Sequence, residues 1–333
     1  MRTSKDTISS YYQGKHVLVL GGLGFIGQNL VRALVALGSE VRVVDQDSTI
    51  NRTLGDFPVE CTVYYANRCE KELVGRAIMD SEIIFNLAGR SGVADSFQHP
   101  AESLKANCLQ HLGVLQACQE YNPDAVIVFP SSCLVYGKDA WSECPHPLSP
   151  YAIHKYVCEM YSRLYRETYG ISTVVLRISN PIGPHQYRVD GSYGVYNRFI
   201  YLATNGCDLT VYGDGSHVRD IIGIDSVVQA FLTCAQAANV VDVVDVGRGV
   251  GISLHDYAQL VVDTVGNGRV VHVDWPANSK GQPFTNFVAN TGYICNVTGW
   301  RPDLDLSAVI TATAEFYRWA GVNSLLIDVG EKC

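Results

Sequence analysis

Residues 17–27 read Val-Leu-Val-Leu-Gly-Gly-Leu-Gly-Phe-Ile-Gly, an apolar run that leads into a turn with glycines at positions 21, 22, 24 and 27. A strand, a glycine turn and a following helix let backbone N–H groups approach a pyrophosphate, and the helix N-terminus adds partial positive charge. The stretch satisfies G-x-x-G-x-x-G from Gly21 and G-x-G-x-x-G from Gly22. Because glycines also make ordinary tight turns, this stretch indicates a phosphate-binding turn without establishing one.

The end of the next predicted strand supplies a second indication. Residues 41–44, Val-Arg-Val-Val, are predicted as a strand and are followed by Asp45, 18 residues beyond Gly27. A carboxylate at this place accepts hydrogen bonds from an adenosine ribose diol and repels a 2′-phosphate. The two features together predict that the chain binds NAD rather than NADP. Asn67, after the third predicted strand, is either an adenine contact or a plain surface side chain.

The first half of the chain alternates apolar strands with helical stretches, which is typical of a doubly wound parallel sheet. Further strands are predicted at residues 62–65, 83–86, 125–129 and 173–177, and crossover helices at 101–121 and 151–169. From Asn180 onward, Pro, Gly and aromatic residues follow no simple period. We therefore expect an α/β fold with a Rossmann domain at residues 1–179 and a smaller C-terminal substrate-binding lobe at 180–333. Residues 220–248, in which a further buried strand is predicted at 241–246, are expected to return to the first domain.

Composition excludes several other classes of protein. The chain has 333 residues, of which 47% are hydrophobic and 17% charged, so it can bury a large core. Its net charge of −8 argues against a dedicated nucleic-acid binder. No apolar run approaches the roughly 18 residues of a membrane span, and the N-terminus lacks the apolar core of a secretory signal. The eleven cysteines contain no C-x-x-C pair, so we expect free thiols, mostly buried, in a reducing cytoplasm.

A second motif lies at the start of the helix predicted for residues 151–169. Tyr151 and Lys155 are four residues apart and therefore share one helix face. A tyrosine that acts as a base near pH 7 needs its pKa lowered by about 3 units, or roughly 4 kcal/mol. Lys155 and the positive charge of an oxidised nicotinamide could together supply this. Tyr-x-x-x-Lys occurs often by chance, but residues 126–129 form an apolar strand that leads to Ser132, where a hydroxyl can hydrogen-bond a reacting oxygen.

Together these motifs resemble the extended short-chain dehydrogenase/reductases, specifically the NAD-dependent nucleotide-sugar epimerase/dehydratase group. The resemblance covers nearly all of residues 15 to 320 and follows the family's order. It rests on the segments 21–27, 86–89, 131–137, 151–155, 177–184, 211–215, Arg219-Asp220 and 299–302.

The resemblance implies a role for each matching residue. Tyr151 is the expected base, Lys155 its electrostatic partner and ribose ligand, and Ser132 the hydroxyl that bonds the reacting oxygen; Ser131 is expected only to support the turn. Expected cofactor contacts are Gly21, Gly24, Phe25, Ile26, Gly27, Asp45, Asn67, Leu87, Ala88, Gly89, Tyr151 and Lys155. Expected substrate contacts are Arg90, Ser132, Asn180, Asn197 and Arg219.

The assignments of Arg219 and Arg90 have open alternatives, and four nearby side chains are expected to have no such role. Arg219 suits a diphosphate because its planar fork meets two phosphate oxygens, but it could instead be a surface arginine paired with Asp220. Arg90 could equally lie away from any phosphate. His154 is expected to be an exposed helix histidine and Cys133 a small buried apolar side chain. No metal site is expected, because Cys144 and His146 lack two further ligands.

The residues after Ser132 distinguish the family's reactions. A 4,6-dehydratase carries Asp-Glu there, and a decarboxylase usually has Glu where Leu134 stands, whereas this chain has Cys133 and Leu134. A 4-epimerase needs only room for a keto intermediate to turn. We therefore expect NAD-dependent epimerisation of a UDP-hexose or UDP-hexuronate at C4. The alternatives are a decarboxylase or dehydratase with other acid–base groups, and a non-catalytic NAD-binding regulatory protein.

Two further expectations concern partners. The family often has a second phosphate-clamping arginine in a stretch that here reads Gly-Gln-Pro-Phe-Thr-Asn at 281–286, so Arg188 is a candidate replacement. The resemblance also implies a homodimer in which the helices at 101–121 and 151–169 pair across a two-fold axis. No nucleic-acid or membrane partner is expected.

Overall fold

The computed structural model describes residues 4–46, 57–58, 60–65, 71–138, 145–190, 194–275, 286–322 and 327–328. The strands are β1 (His16–Leu20), β2 (Glu40–Asp45), β3 (Thr62–Tyr65), β4 (Ile83–Asn86), β5 (Val126–Ser132), β6 (Thr173–Ile178), β7 (Asn180–Ile182), β8 (Asp208–Tyr212), β9 (Val218–Gly223), β10 (Val243–Val246), β11 (Gly251–Ser253) and β12 (Arg269–Val273). The helices are α1 (Ser4–Tyr12), α2 (Phe25–Ala36), α3 (Lys71–Met79), α4 (Val93–Gln98), α5 (Pro100–Leu104), α6 (Gln110–Tyr121), α7 (Pro150–Tyr169), α8 (Tyr196–Thr204), α9 (Ile224–Gln236), α10 (Leu254–Val265), α11 (Gly292–Thr298) and α12 (Leu306–Val322).

A seven-stranded parallel sheet forms the centre of the molecule, in the order β10-β6-β5-β4-β1-β2-β3. The chain winds outward from β1 through β2 and β3, and then in the other direction from β4, so the topological switch point lies between β1 and β4. The predicted doubly wound α/β fold is therefore confirmed.

Helices cover both faces of this sheet. On one face, α1, α2 and α9 pack in a core that includes Tyr12, Leu30 and Phe231. On the other face, α3, α6 and α7 contribute Ile78, Leu115 and other buried side chains. Because both faces are covered, β1 is a continuous apolar run rather than an alternating one.

Local signals explain the ends of the helix that carries Tyr151. Pro150 occupies the first turn of α7, where a missing N–H costs nothing, and the Ser149 hydroxyl accepts a hydrogen bond from Ala152 N. The helix ends at Gly170, whose φ of +73° is in the left-handed region. The start of α7 thus has a defined place at the sheet edge.

The residues after β6 build a smaller lobe. It contains a three-stranded sheet in the order β11-β9-β7 and a two-stranded parallel sheet of β8 and β12. Its core lies among α8, α10 and α12 and includes Phe199, Tyr257 and Ile310. Between these lobe elements, α9 packs against the large sheet and β10 pairs with β6. No helix in the described ranges is both long and apolar enough to cross a membrane.

Candidate functional site

A cleft of about 2290 Å³ runs along the carboxyl ends of the large sheet's strands. Ligands bind at this edge in doubly wound folds, because strand ends and helix N-termini meet there. The predicted residues that line the cleft are Gly21, Gly24, Phe25, Ile26, Gly27, Asp45, Leu87, Ala88, Gly89, Arg90, Ser132, Tyr151, Lys155, Asn180 and Arg219. Asn67 lies outside the described residues, and Asn197 does not line the cleft.

The glycine turn between β1 and α2 has two kinds of glycine. Gly21 has a φ of +77°, and a Cβ there would lie 2.8 Å from the backbone nitrogen of Ala88. A Cβ on Gly27 would overlap the Gly21 carbonyl oxygen, so the fold itself requires glycine at positions 21 and 27. A Cβ on Gly24 would meet nothing closer than that oxygen at 3.3 Å. A Cβ at Gly24 would thus be tight but needs only a small shift, in contrast to the overlap at Gly27.

Asp45 is held beside this turn by backbone N–H groups. Its Oδ2 accepts from Leu23 N at 2.8 Å and its Oδ1 from Gln46 N at 2.7 Å. The carboxylate is thereby fixed at the end of β2, next to the phosphate-binding turn.

Ser132, Tyr151 and Lys155 come together at the end of β5. Ser132 Oγ accepts a hydrogen bond from Leu134 N at 3.2 Å, and the hydroxyl lies close enough to Tyr151 to lower the pKa of the phenol. Lys155 Nζ donates to the carbonyl of Pro130 at 2.7 Å and lies 5.9 Å from the centre of the Tyr151 ring. The phenol, the ammonium and the second hydroxyl predicted from the sequence are therefore neighbours in one cleft.

Burial dominates the electrostatics of this group. It raises the pKa of Tyr151 well above that of a free tyrosine, with smaller contributions from Cys133 and Cys158, and the nearby Ser132 hydroxyl opposes the shift. Burial also lowers the pKa of Lys155 to about 8. In the protein alone, desolvation therefore sets the direction of the phenol's pKa shift, and the combined effect of Lys155 and an oxidised nicotinamide stays a prediction.

A buried polar network, which sequence reasoning missed, ties α7 to the strands below it. Glu159, one turn after Lys155, accepts a hydrogen bond from Ser131 Oγ and pairs with Arg177, whose Nη2 lies 2.6 Å from Glu159 Oε2. Arg177 Nη1 donates to the Tyr136 hydroxyl at 2.9 Å, and that hydroxyl donates to Asp245 at 2.8 Å. The hydrogen bond from Ser131 to Glu159 thus joins α7 to the end of β5, next to Ser132, which agrees with a supporting role for Ser131.

The loop after β4 is anchored by Asn107, another residue that the motifs did not indicate. The predicted helix at 101–121 is interrupted by a π-helical turn at Lys105–Leu109, a feature often found at functional sites. Asn107 Oδ1 accepts from Arg90 N at 3.3 Å, and its Nδ2 donates to Arg90 O at 3.1 Å. A Cβ on Gly89 would lie 2.7 Å from Asn107 Oδ1, so this loop requires glycine there.

The two arginines predicted to meet the substrate have different surroundings. Arg90 is paired with Asp95, with Nε 2.6 Å from Oδ2, and with Glu102 at 2.8 Å. Arg219 donates to Val218 O at 3.0 Å and lines the cleft. Its sequence neighbour Asp220 is buried and accepts hydrogen bonds from backbone N–H groups, among them those of residues 248, 249 and 289. The alternative of a surface Arg219–Asp220 pair is therefore wrong.

The two asparagines predicted to contact the substrate, Asn180 and Asn197, also have different surroundings. Asn180 lines the cleft and donates to Asp220 O at 2.7 Å. Asn197 is 2% exposed; it bonds both backbone groups of Gly183 and donates to Gln186 Oε1 at 2.7 Å. The structure thus corrects the expectation of a direct substrate contact for Asn197, because its amide crosslinks the segment that lines the cleft.

Three further side chains line the substrate side of the cleft. Burial raises the pKa of Tyr196, and the charge of Arg219 opposes the shift. His217 precedes Arg219 by two residues, and burial lowers its pKa. Arg188 lines the cleft and lies 2.8 Å from Asp190 Oδ2. Tyr196 and His217 carry no motif of their own; only closeness to Arg219 in sequence could have indicated His217.

The remaining expectations concern the cysteines, His154 and metal binding. Cys133 is confirmed as a buried side chain, and burial raises its thiol pKa to about 12. His154 was expected to be exposed, which is wrong: it is 7% exposed and hydrogen-bonds Ser103 Oγ at 3.0 Å. Cys207 is disulfide-bonded, contrary to the expectation of free thiols, and the free cysteines among the described residues are 61, 108, 118, 133, 158, 234 and 295. The described part of the chain contains no cluster of three metal-ligating side chains.

This fold and cleft define a dinucleotide-binding enzyme, and comparison with known proteins supplies the family. The family model described as NAD dependent epimerase/dehydratase matches residues 17–247. The chain therefore belongs to that family, and its cofactor is NAD.

Individual relatives share the fold over nearly their whole length. A UDP-glucose 4-epimerase of Mycolicibacterium smegmatis is 28% identical over 90% of this chain and 98% of its own. The crystal structure of the Thermotoga maritima UDP-glucose 4-epimerase with UDP-glucose has a TM-score of 0.79 at 28% identity, over 91% of this chain and 99% of that one. The UDP-N-acetylglucosamine 4-epimerase of Methanobrevibacter ruminantium M1, in complex with UDP-N-acetylmuramic acid, has a TM-score of 0.81 at 25% identity, over 92% and 99% of the two chains.

Proposed function

We propose that the protein is an epimerase that inverts C4 of a UDP-linked hexose or hexuronate through a transient 4-keto sugar. The observation that carries this proposal is the meeting of Ser132, Tyr151 and Lys155 in the cleft with no acid directly after Ser132. Cys133 has a pKa raised to about 12, and Leu134 has no titratable group. The residues needed for oxidation and reduction at C4 are present, and the family's usual reagents for dehydration or decarboxylation are not.

In this proposal the chain's own residues move one proton. Ser132 orients the C4 hydroxyl, Tyr151 takes its proton, and Lys155 stabilises the phenolate and holds the nicotinamide ribose. NAD, when bound in its oxidised form, would supply the acceptor for the C4 hydride, would give it back to the opposite face, and would add a positive charge beside the phenol. After the keto sugar rotates in the cleft, Tyr151 returns the proton to the C4 oxygen.

The same proposal assigns the ends of the cleft. Asp45 binds the adenosine ribose, and the N–H groups around Gly21, Gly24 and Gly27 bind the pyrophosphate. The segment from Leu87 to Gly89 lies along the cofactor. Residues 180–333 form the nucleotide-sugar lobe, in which Arg219 and Asn180 contact the diphosphate. Arg90 and Arg188 would have to leave their carboxylate partners to bind phosphate, so we rank them below Arg219.

We also propose a homodimer through the helices on one side of the cleft. Large apolar side chains of this surface are exposed on α4, α5, the π-helical turn and α7: Phe97, Leu104, Leu109, Ile153, Met160 and Leu164. On α7 the exposed positions 153, 160 and 164 share one face. A contiguous apolar surface of this kind is typical of a subunit interface.

Incubation of the purified protein with UDP-hexoses and UDP-hexuronates tests the reaction. A product of unchanged mass with an inverted C4, identified by NMR, is expected. Loss of water or of carbon dioxide from the substrate would contradict epimerisation and favour a dehydratase or decarboxylase. No product with any nucleotide sugar would favour the regulatory alternative.

A further inference from the structure

Ser179 has a buried hydroxyl that no described part of the chain satisfies. The residue follows the last residue of β6, lines the cleft, and is held in place by a hydrogen bond from its N–H to Val246 O at 2.9 Å. It is 8% exposed, and its Oγ has no hydrogen-bond partner within the described ranges. A buried hydroxyl without a partner is unfavourable, so this one is expected to meet a group that enters the cleft.

Neighbouring hydroxyls show that Ser179 differs from its surroundings. Ser131 donates to Glu159, and Ser132 accepts from Leu134 N. These serines end β5, the strand beside β6, and Ser132 pairs in register with Ile178. Ser179 is therefore one residue beyond the partner of Ser132, next to the proposed reaction centre.

The strand order indicates which part of a ligand reaches Ser179. Asp45 ends β2 and the glycine turn follows β1, so the adenosine end of the dinucleotide belongs on that side of the switch point. Neighbouring strands are about 4.8 Å apart, which places the ends of β5 and β6 about 10 and 14 Å from the end of β1. The nicotinamide half of an extended dinucleotide covers this part of the sheet edge.

We propose that Ser179 Oγ hydrogen-bonds the carboxamide of the nicotinamide and so fixes which face of the ring is turned toward the sugar. A carboxamide offers both an N–H donor and a carbonyl acceptor, and a serine hydroxyl can bond either. Because an epimerase must take back hydride from the ring face that received it, rotation of the ring about its glycosidic bond would interrupt turnover. The inference rests on the NAD site proposed above.

Comparing two ligands tests this contact without measuring turnover. The full chain, freed of bound dinucleotide, is titrated by calorimetry with NAD+ and with ADP-ribose, which lacks the nicotinamide. Ser179→Ala is expected to weaken NAD+ about five- to tenfold and to leave ADP-ribose unchanged, because one hydrogen bond to the carboxamide is lost. Its melting temperature should match that of the wild type, since no protein contact is removed.

Ser131→Ala is the matched control. It also removes a buried hydroxyl at the floor of the cleft, but one that Glu159 engages, so its affinities for NAD+ and ADP-ribose should change by the same factor. Equal weakening of both ligands by Ser179→Ala, or unchanged affinity for NAD+, would overturn the proposed contact. Failure of the epimerase assay with this ligand difference intact would reject the proposed reaction and leave the contact standing.

Discussion

Tyr151 and Lys155 both lie where burial favours their neutral forms. Burial raises the pKa of the phenol and lowers that of the ammonium to about 8, since a charge in either place loses contact with water. The proposed base is therefore protonated near pH 7 in the protein alone. Its activation depends on the positive charge that the oxidised cofactor adds, which links deprotonation of Tyr151 to the presence of a hydride acceptor.

Replacing the phenol separates its chemistry from the fold. Tyr151→Phe is expected to lower turnover about 10²- to 10⁴-fold, because a positioned general base contributes that much, and to retain NAD. Epimerase assays and NAD titration measure the two effects. Turnover at the wild-type rate in a properly folded variant would reject Tyr151 as the base.

Two alanine variants in the glycine turn are expected to affect different properties, NAD+ affinity in one and the free energy of unfolding in the other. Gly24→Ala should cost less stability than Gly27→Ala, since its Cβ would lie 3.3 Å from the Gly21 carbonyl oxygen and needs only a small shift there, but it should weaken NAD+ at least about tenfold by obstructing the pyrophosphate. Gly27→Ala should lower the free energy of unfolding by about 1–3 kcal/mol, because the new Cβ overlaps the Gly21 carbonyl. Urea unfolding and NAD+ titration of both variants distinguish the effects. Unchanged NAD+ affinity of Gly24→Ala would remove this glycine from the cofactor site.

Helix α7 is positioned by contacts made along its length as well as by its caps. Its first turn presents Tyr151, its second Lys155, and its third Glu159, whose pair with Arg177 joins it to β6. His111 of α6 adds a further link, since its Nε2 lies 2.8 Å from Ser162 Oγ of α7 and its Nδ1 3.0 Å from Asn86 Nδ2 of β4. These bonds require a neutral imidazole that accepts from Asn86 and donates to Ser162.

This His111 link makes the stability of the fold depend on pH. Burial lowers the pKa of His111 to about 3, below its ordinary value of 6.5. The unfolded chain therefore takes up a proton between pH 6.5 and 3 that the folded chain does not. The free energy of unfolding should fall with decreasing pH in this range, by up to about 1.4 kcal/mol per pH unit from this residue.

Urea unfolding at pH 7.5, 6 and 5 measures this slope. His111→Gln, which cannot take up the proton, should be less stable at pH 7.5 but should lose less stability on acidification than the wild type. Parallel pH profiles for the two proteins would show that His111 is not the source of the dependence.

Among the described residues, exposed large apolar side chains are grouped on α4, α5, the π-helical turn and α7, beside the cleft. The proposed dimer covers this surface and leaves the cleft's strand-end edge accessible. Because α7 contributes both to this surface and to the cleft, association of two chains would also restrain the helix that carries Tyr151 and Lys155.

A charge at the centre of this surface tests the dimer. Met160→Glu is expected to convert a dimer into a monomer, because an unpaired carboxylate would be buried at the interface. Met160 is 57% exposed in the single chain, so the fold itself should tolerate the change. Sedimentation measures the state, with Tyr212→Glu, an exposed site on the smaller lobe, as the control. A monomeric wild type, or a dimeric Met160→Glu variant, would contradict the proposed interface.

Local sequence was sufficient for the strand–turn–helix around Gly21–Gly27, the carboxylate of Asp45, the parallel sheet and the shared helix face of Tyr151 and Lys155. These features depend on periodicity, turn chemistry and spacings of a few residues, all of which are visible in a short segment of the sequence. Contacts between distant segments established the rest: the Glu159–Arg177 pair, the inward direction of Asp220, the burial of His154 and Asn197, and the unsatisfied hydroxyl of Ser179. Burial and hydrogen bonding are properties of what surrounds a side chain, and those surroundings come from parts of the chain far away in sequence.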